Sequence, residues 1–292
     1  MYKGEFANIA ENLNFEIESK FTSPNYSINF FGFGNETVNL DDDLELDYNR
    51  VKIESIYVSP SIVWRGNLGA KFALGLSYED IEVEATEDRF INTFYQANGE
   101  ETGNRFVGFK GTYTYENRDS EAFPTLGMAT NLQFGYKKST VDSEQGYGFV
   151  IPSLSINHKL IPSGRLVLAA KWKAHFNLGE DYEFYQAASI GANDGLRGFR
   201  NQRFTGKTAY YQNTDIRYSI KTLKTGLLPT SIGLYGGFDY GRVWLPGEDS
   251  DTWHHSFGGG VFFNGSDIMS ATLSLFQSDD GPRFAFGFGF GF

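Results

Sequence analysis

The chain has 292 residues, a formal net charge of −11, a pI near 4.9 and no cysteine. Such an acidic chain lacks the basic face that nucleic-acid phosphates require, and without Cys it has no disulfide, thiol nucleophile or cysteine metal site. Aromatic residues reach 17% and 34 glycines stand against 8 prolines, which suits twisted strands and tight turns, while no stretch approaches the roughly 18 apolar residues of a membrane helix.

In chain order the organising signal is period two. Leu13, Phe15 and Ile17 alternate with Asn14, Glu16, Glu18 and Lys20. Leu68, Ala70, Phe72, Leu74, Leu76 and Tyr78 oppose Gly69, Lys71, Gly75, Ser77 and Glu79. Leu126, Met128, Thr130, Leu132, Phe134 and Tyr136 oppose Gly127, Ala129, Asn131, Gln133, Gly135 and Lys137. Leu166, Leu168, Ala170, Trp172, Ala174 and Phe176 oppose a face with Lys171, Lys173, His175 and Asn177. These runs are about ten residues long or more, the length a tilted strand needs to cross a bilayer, whereas strands of soluble proteins average about five or six. The second face carries Lys, Glu, Asn, Gln and Gly, which fits a wet or plugged lumen and not the core of a soluble sandwich.

Connections alternate in length. Short ones fall near Gly66–Asn67, Asp119–Phe123, Pro162–Gly164 and Gly265–Asp267, with longer polar ones near 34–48, 87–103, 178–207 and 247–253. Membrane barrels alternate short periplasmic turns with long outer loops. The fold class is therefore all-β, a transmembrane antiparallel β-barrel with about twelve strands. They are predicted near 11–30, 50–65, 68–86, 104–117, 123–139, 147–161, 165–178, 207–222, 230–246, 255–264, 268–277 and 283–292. No linker-like composition shift divides the chain, so residues 1–292 read as one barrel domain. No charged-then-apolar leader follows Met1, as expected of a mature chain or a piece of a longer one.

The longest connection contains "GANDGLRGFRNQRFTG", Gly191 to Gly206, with Arg197, Gly198 and Phe199 inside a glycine-rich polar loop. In "YQNTDIRYSI", Asn213, Asp215, Arg217 and Ser219 share one strand face. In "GLYGGFDYGRVW", Gly237, Asp239, Gly241 and Val243 share another. Asp215 and Asp239 thus fall on neighbouring strands and point inward. Two carboxylates in a partly desolvated interior need a cation, and a guanidinium pairs with them bidentately.

At these residues the chain resembles the superfamily of outer-membrane barrel-assembly insertases and two-partner-secretion transporters. "LRGF", "TDIR", "DYGRVW" and the turn "RDSEAFPTLG" (Arg118 to Gly127) occur in the family's order, and with the last strand they span about 105 to 292. The resemblance implies that Arg197 enters the barrel and locks onto Asp239 and Asp215, with Gly198, Phe199 and Gly241 completing the motif. It implies protein or lipid assembly or translocation without chemistry, no cofactor and no metal. It also implies location in the bacterial outer membrane, with its lipids and lipopolysaccharide, substrate outer-membrane proteins or a periplasmic partner as contacts. The chain departs from the pattern in three ways. Gly237 stands where an aromatic is usual, and Asp215 where Glu is commoner. Family barrels also have sixteen strands behind POTRA domains, whereas no POTRA pattern occurs here, so the barrel is either a smaller member or the C-terminal part of a sixteen-stranded one. "NFFGFGNET", Asn29 to Thr37, resembles barrels fused behind calcineurin-like phosphoesterases, and the alternative function is a passive membrane anchor for such an enzyme.

Other candidates carry less. "NLDDDLELD", Asn39 to Asp47, reads as a solvated acidic loop, because it lacks the glycine and ligand spacing of a calcium loop. His254 and His255 read as surface residues of an outer loop. His175 is the best seed for catalysis, with no partner identifiable. The ending "PRFAFGFGFGF" puts Phe284, Phe286, Phe288, Phe290 and Phe292 toward lipid and Ala285, Gly287, Gly289 and Gly291 toward the lumen, and it resembles the C-terminal recognition signal of outer-membrane barrels.

Overall fold

Alternation at period two becomes long antiparallel strands. A computed structural model describes residues 2–39, 44–45, 47–99, 103–142, 144–224, 229–265 and 269–290, apart from the side chains of Ala7, Asn8 and Phe290. The first half holds β1 (Tyr2–Ala10), β2 (Leu13–Thr22), β3 (Ser27–Asn29), β4 (Arg50–Arg65), β5 (Ala70–Glu84), β6 (Gly103–Glu116), β7 (Gly127–Ser139) and β8 (Gly146–Lys159). Then come β9 (Leu166–Leu178), β10 (Ala188–Ile190), β11 (Phe204–Gly206), β12 (Thr208–Leu223), β13 (Thr230–Trp244), β14 (His254–Gly265), β15 (Met269–Ser278) and β16 (Gly281–Phe290). Fourteen of them form one sheet ordered β1-β2-β4-β5-β6-β7-β8-β9-β12-β13-β14-β15-β16, with β3 added to β4, and β10 pairs with β11 apart from it. The range 11–30 divides into β2 and β3, and β1 precedes it, so the path has one strand more than the twelve expected. Gly4 interrupts the apolar face of β1 between Tyr2 and Phe6, which leaves too little alternation to read.

The two faces of the sheet have opposite chemistry. Leu74, Leu76 and Tyr78 on β5 are 48%, 68% and 40% exposed, whereas Ser77 between them is buried. A contiguous apolar exterior of this size is stable only against lipid. No helix among the described residues is long and apolar enough to cross a membrane. The other face is concave and lined with ion pairs that skip strands. Lys71 on β5 reaches Glu16 on β2 at 2.9 Å, Lys110 on β6 reaches Glu18 on β2 at 3.1 Å, and Lys137 on β7 reaches Glu79 on β5 at 2.5 Å. Pairing is what makes these charges tolerable away from bulk water.

Aromatic girdles mark the edges of the apolar band. At the long-loop end Trp253 meets Tyr240 at 5.5 Å and Trp244 at 6.0 Å, with Tyr210 6.2 Å from Tyr240. At the short-turn end Arg165 lies 5.3 Å over Tyr218, and Trp64 and Tyr113 are exposed. Tyr210 and Tyr218 sit eight positions apart on β12, about 26 Å along a strand at about 3.3 Å per residue.

The long connections pack on one another. Phe30 is their centre, with Phe184, Phe94, Phe33 and Phe90 at 4.5, 5.0, 5.4 and 5.6 Å. Phe90, Ile91, Phe94 and Tyr95 come from α1 (Phe90–Asn98), a helix inside the range read as a polar loop. Nine residues are too few to display a helical repeat, yet the i, i+4 pairs Phe90/Phe94 and Ile91/Tyr95 put four apolar side chains on one face. Gly99 ends the helix at φ 93°, its N–H bonded to the Tyr95 carbonyl at 2.8 Å.

At the opposite end the β6–β7 connection is organised by Asp119, which accepts from Thr125 N at 2.8 Å, Leu126 N at 3.0 Å and Thr125 Oγ1 at 2.5 Å, with Lys159 Nζ at 3.4 Å. Burial opposes its charge, but these donors outweigh burial and pull the pKa from 3.8 down to about 2. A depressed folded-state pKa stabilises the turn above the ordinary aspartate value and ceases to do so as pH falls through the folded one. Intrinsic-rate-corrected amide exchange at Thr125 and Leu126 should therefore rise between about pH 4 and pH 2. Asp119→Asn should show raised exchange at neutral pH and no such titration.

Candidate functional site: a loop held against the lumen wall

Strand register builds the wall. On β12 and β13, Asn213 pairs with Asp239 and Asp215 with Gly237; on β14, Ser256 pairs with Asp239 and Gly258 with Gly237. The β12–β13 pair thus places two carboxylates diagonally on the lumen face, with a glycine opposite one of them. Asp239 is fully buried. Ionised at that depth it needs several donors, and the loop between β10 and β11 supplies most of them.

That loop descends because its backbone can lie flat on the wall. Gly195 has φ 105°, and a Cβ there would lie 2.2 Å from Tyr211 Cγ. Asn213 Nδ2 donates to the Gly195 carbonyl at 2.6 Å and to Asp239 Oδ1 at 2.7 Å. Arg197 then donates to Asp239 from its backbone N at 3.1 Å, from Nε at 3.0 Å and from Nη2 at 2.5 Å. The same guanidinium donates to Asp215 at 2.7 Å from Nη2 and 3.3 Å from Nη1. Ser256 Oγ donates to Asp239 Oδ2 at 3.0 Å and accepts from Gly198 N at 3.2 Å. Ser278 Oγ donates to the Gly198 carbonyl at 2.7 Å. A Cβ on Gly198 would come within 2.7 Å of Ser256 and 2.9 Å of Ser278, so only glycine fits between them.

Burial on its own lowers the Arg197 pKa, but hydrogen bonds to Asp239 and the charges of Asp215 and Asp239 reverse that and raise it above arginine's ordinary value. The guanidinium stays charged at every accessible pH, and one cation faces two carboxylates.

The remaining motif residues have packing roles. Phe199 is buried with Leu196, Phe204, Tyr211 and Val243, its ring 5.4 Å from Phe204. Gly241 admits Tyr211, whose Cβ would lie 2.9 Å from a side chain there. Gly237, where the family pattern has an aromatic, leaves space for the ion pair. A Cβ at 237 would lie 2.4 Å from Asp215 Oδ1 and 2.6 Å from Arg197 Nη2. The aromatic contact comes instead from Phe276 on β15, whose ring centre is 4.1 Å from the Arg197 guanidinium.

Sequence reasoning missed a second anchor on the same loop. Arg203 is almost fully buried, donates to Asp280 Oδ2 at 2.6 Å and to Thr37 Oγ1 and O at 2.9 and 2.8 Å, and lies 4.5 Å over Phe204 and 4.9 Å over Phe31. The segment "NFFGFGNET" is its other half. Asn35, wholly buried, donates from Nδ2 to Ser250 Oγ and the Thr252 carbonyl, each at 2.9 Å, and accepts from Val243 N at 3.0 Å. Ser256 was findable by running the alternation of β14 back from Gly258. Arg203, Thr37 and Asp280 lie in three separate connections, where no periodicity operates.

His254 corrects the surface reading of the histidine pair. It opens β14 on the same inward face as Ser256, is buried, meets the Asn35 carbonyl through Nε2 at 2.7 Å and stacks 3.7 Å from Phe204; His255 is exposed. His175 meets Asn177 Oδ1 at 3.1 Å. Among the described residues no group of three or more His, Asp or Glu forms a metal cluster. Of the acidic loop, Asp47 pairs with Arg89, while residues 40–43 and 46 lie outside the described residues. Phe284, Phe286 and Phe288 are 70%, 65% and 51% exposed on the lipid side. The Phe290 side chain and Phe292 lie outside the described residues.

Long strands, an apolar exterior, a charged concave face and an inserted loop define a transmembrane β-barrel with an occupied lumen. An Omp85 superfamily domain model matches residues 3–292, and the chain belongs to that superfamily. The fold is similar to BamA from Haemophilus ducreyi lacking POTRA domains 1–3, with a TM-score of 0.69, 14% identity, and coverage of 98% of this chain and 60% of that one. It is also similar to CdiB from Escherichia coli, with a TM-score of 0.55, 11% identity, and coverage of 94% and 48%. The chain thus spans about half to three fifths of these structures. No curated protein matches it.

Removing Arg197 leaves two wall carboxylates without a cation, a change of on the order of 3 kcal/mol for a buried pair. Arg197→Ala should lower the thermal midpoint and alter heat-modifiable gel migration. Gly237→Ala should reproduce part of that loss by crowding the guanidinium, and a midpoint equal to wild type in both variants would contradict the assignment.

Proposed function

We propose that this barrel sits in the bacterial outer membrane and helps proteins, or lipids, into or across it by conformational change and not by catalysis. The observation that carries the reading is the Arg197 guanidinium, which ties the inserted loop to two carboxylates of the wall. Everything it holds is non-covalent and reversible. Membership of a superfamily of insertases and two-partner-secretion transporters supports the same reading. Arg197 is the lock, Asp239 and Asp215 are its wall partners, and Gly198, Phe199 and Gly241 shape the loop's seat. Outer-membrane lipid and lipopolysaccharide contact the apolar exterior, and the terminal strand with Phe284, Phe286, Phe288, Phe290 and Phe292 is the assembly signal.

A second reading, a passive anchor for a fused or partner enzyme such as a phosphoesterase, draws support from the number of fastenings on the long-loop side. Arg203, Asn35 and the Phe30 cluster all hold the connections down, as befits a static stopper. Reconstitution separates the two. Liposomes carrying the protein should fold an added, urea-unfolded second barrel faster than empty liposomes do, and Arg197→Ala should change that rate. Equal rates with and without the protein would favour the anchor.

A further inference from the structure

The β6–β7 connection does not hang free at the short-turn end but crosses the lumen. Phe123 packs 4.6 Å from Phe262 on β14, and Ser270 Oγ on β15 donates to the Ala122 carbonyl at 3.4 Å. Its fastening is Arg217 on β12, whose guanidinium lies 4.4 Å over the Phe123 ring and whose Nη2 donates to the Pro124 carbonyl and, at 3.0 Å, to Asn157 Oδ1 on β8. A loop from one end and a turn from the other therefore both enter the barrel. Phe123, Arg197, Asp215, Arg217 and Phe262 all border one cavity of about 370 Å³.

Arg217 is the less well satisfied of the two arginines. Among the described residues no carboxylate lies within ion-pairing distance of it, and its buried Nε has no hydrogen-bond partner. The nearest acid along its own strand is Asp215, two positions away on the same face, about 7 Å between Cα atoms. Asp215 is engaged by Arg197. Loss of that partner would leave two carboxylates on the wall, one of them within a side chain's reach of a buried, unpaired cation, a costly arrangement unless the two combine.

We propose that Asp215 is shared in alternation by the two arginines, so that the loop and the turn release together. With Arg197 in place, Arg217 is left to hold Phe123 and Pro124. When Arg197 withdraws, Asp215 takes Arg217, draws the guanidinium off the turn and frees that end of the lumen. The coupling is reciprocal, as any linkage between two sites must be, and it does not depend on what the barrel carries.

The chain has no native cysteine, so Ala122→Cys with Ser270→Cys makes a reporter whose crosslinking by a short bifunctional thiol reagent follows turn docking. In folded protein in liposomes the pair should crosslink readily. Arg197→Gln should slow it at least about fivefold, the lower end of typical allosteric couplings. Asp215→Asn alone should leave it fast, and Asp215→Asn added to Arg197→Gln should restore it. Gly237→Ala, which crowds the same guanidinium, should also slow it and serves where Arg197→Gln does not fold. A rate unchanged by either lock variant, a double variant as slow as Arg197→Gln, or a pair that does not crosslink in the wild-type background would overturn the proposal.

Discussion

Asp239 is the constraint around which the lumen is organised. A wholly buried carboxylate on a barrel wall is unstable unless donors surround it, and an isolated one would take up a proton instead. Arg197 satisfies it from both backbone and side chain, Asn213 and Ser256 complete it, and each of those contacts fixes something else. Asn213 also holds the Gly195 carbonyl, and Ser256 also holds Gly198. The loop's path is thus a consequence of solvating one acid, and the glycines at 195, 198 and 237 are the places where the path would collide with the wall.

The same logic extends in both directions along the barrel axis. Toward the long loops, the seated 191–206 segment offers its Thr205 carbonyl to Gly34 N and stacks Phe204 on His254, which gives the 28–39 segment a surface to dock on. The Phe30 cluster then roofs that end. Toward the short turns, Arg217 holds Phe123 inside the lumen. Away from these plugs, the concave wall from β1 to β7 is held by Lys–Glu pairs that skip strands, such as Lys110–Glu18, and needs no loop to satisfy it.

The barrel was legible in the sequence because lipid imposes a rule on every crossing strand. Leu74 and Leu76 must face out and Ser77 in, and period two records that directly. The acids at 215 and 239 were legible as well, since alternation placed them on the inward face of neighbouring strands. Their partner Arg197 was reached through resemblance to a family, because no period governs a loop. What stayed hidden was non-local or too short to repeat. Phe276 supplies the aromatic contact missing at 237 from two strands away, Arg203 finds Asp280 and Thr37 across three connections, and α1 spans too few residues to show its face. His254 looked like a loop residue only because β14 begins one residue earlier than the apolar pattern suggests.

Arg197 donates to Asp239 from its backbone N, Nε and Nη2, and the two residues should behave as one unit. The most direct test is a double-mutant cycle on the purified barrel, with Arg197→Gln, Asp239→Asn and their combination compared by unfolding free energy in the same lipid. Asp239→Asn keeps the shape of the carboxylate without its charge, whereas Arg197→Gln removes the charge together with the Nε and Nη donors. The two losses should be strongly non-additive, with an interaction energy in the upper part of the roughly 0.5–3 kcal/mol seen for residues in direct contact. Single effects that simply sum would contradict it, for they would mean that the loop is held in the lumen by its packing and that the ion pair is incidental.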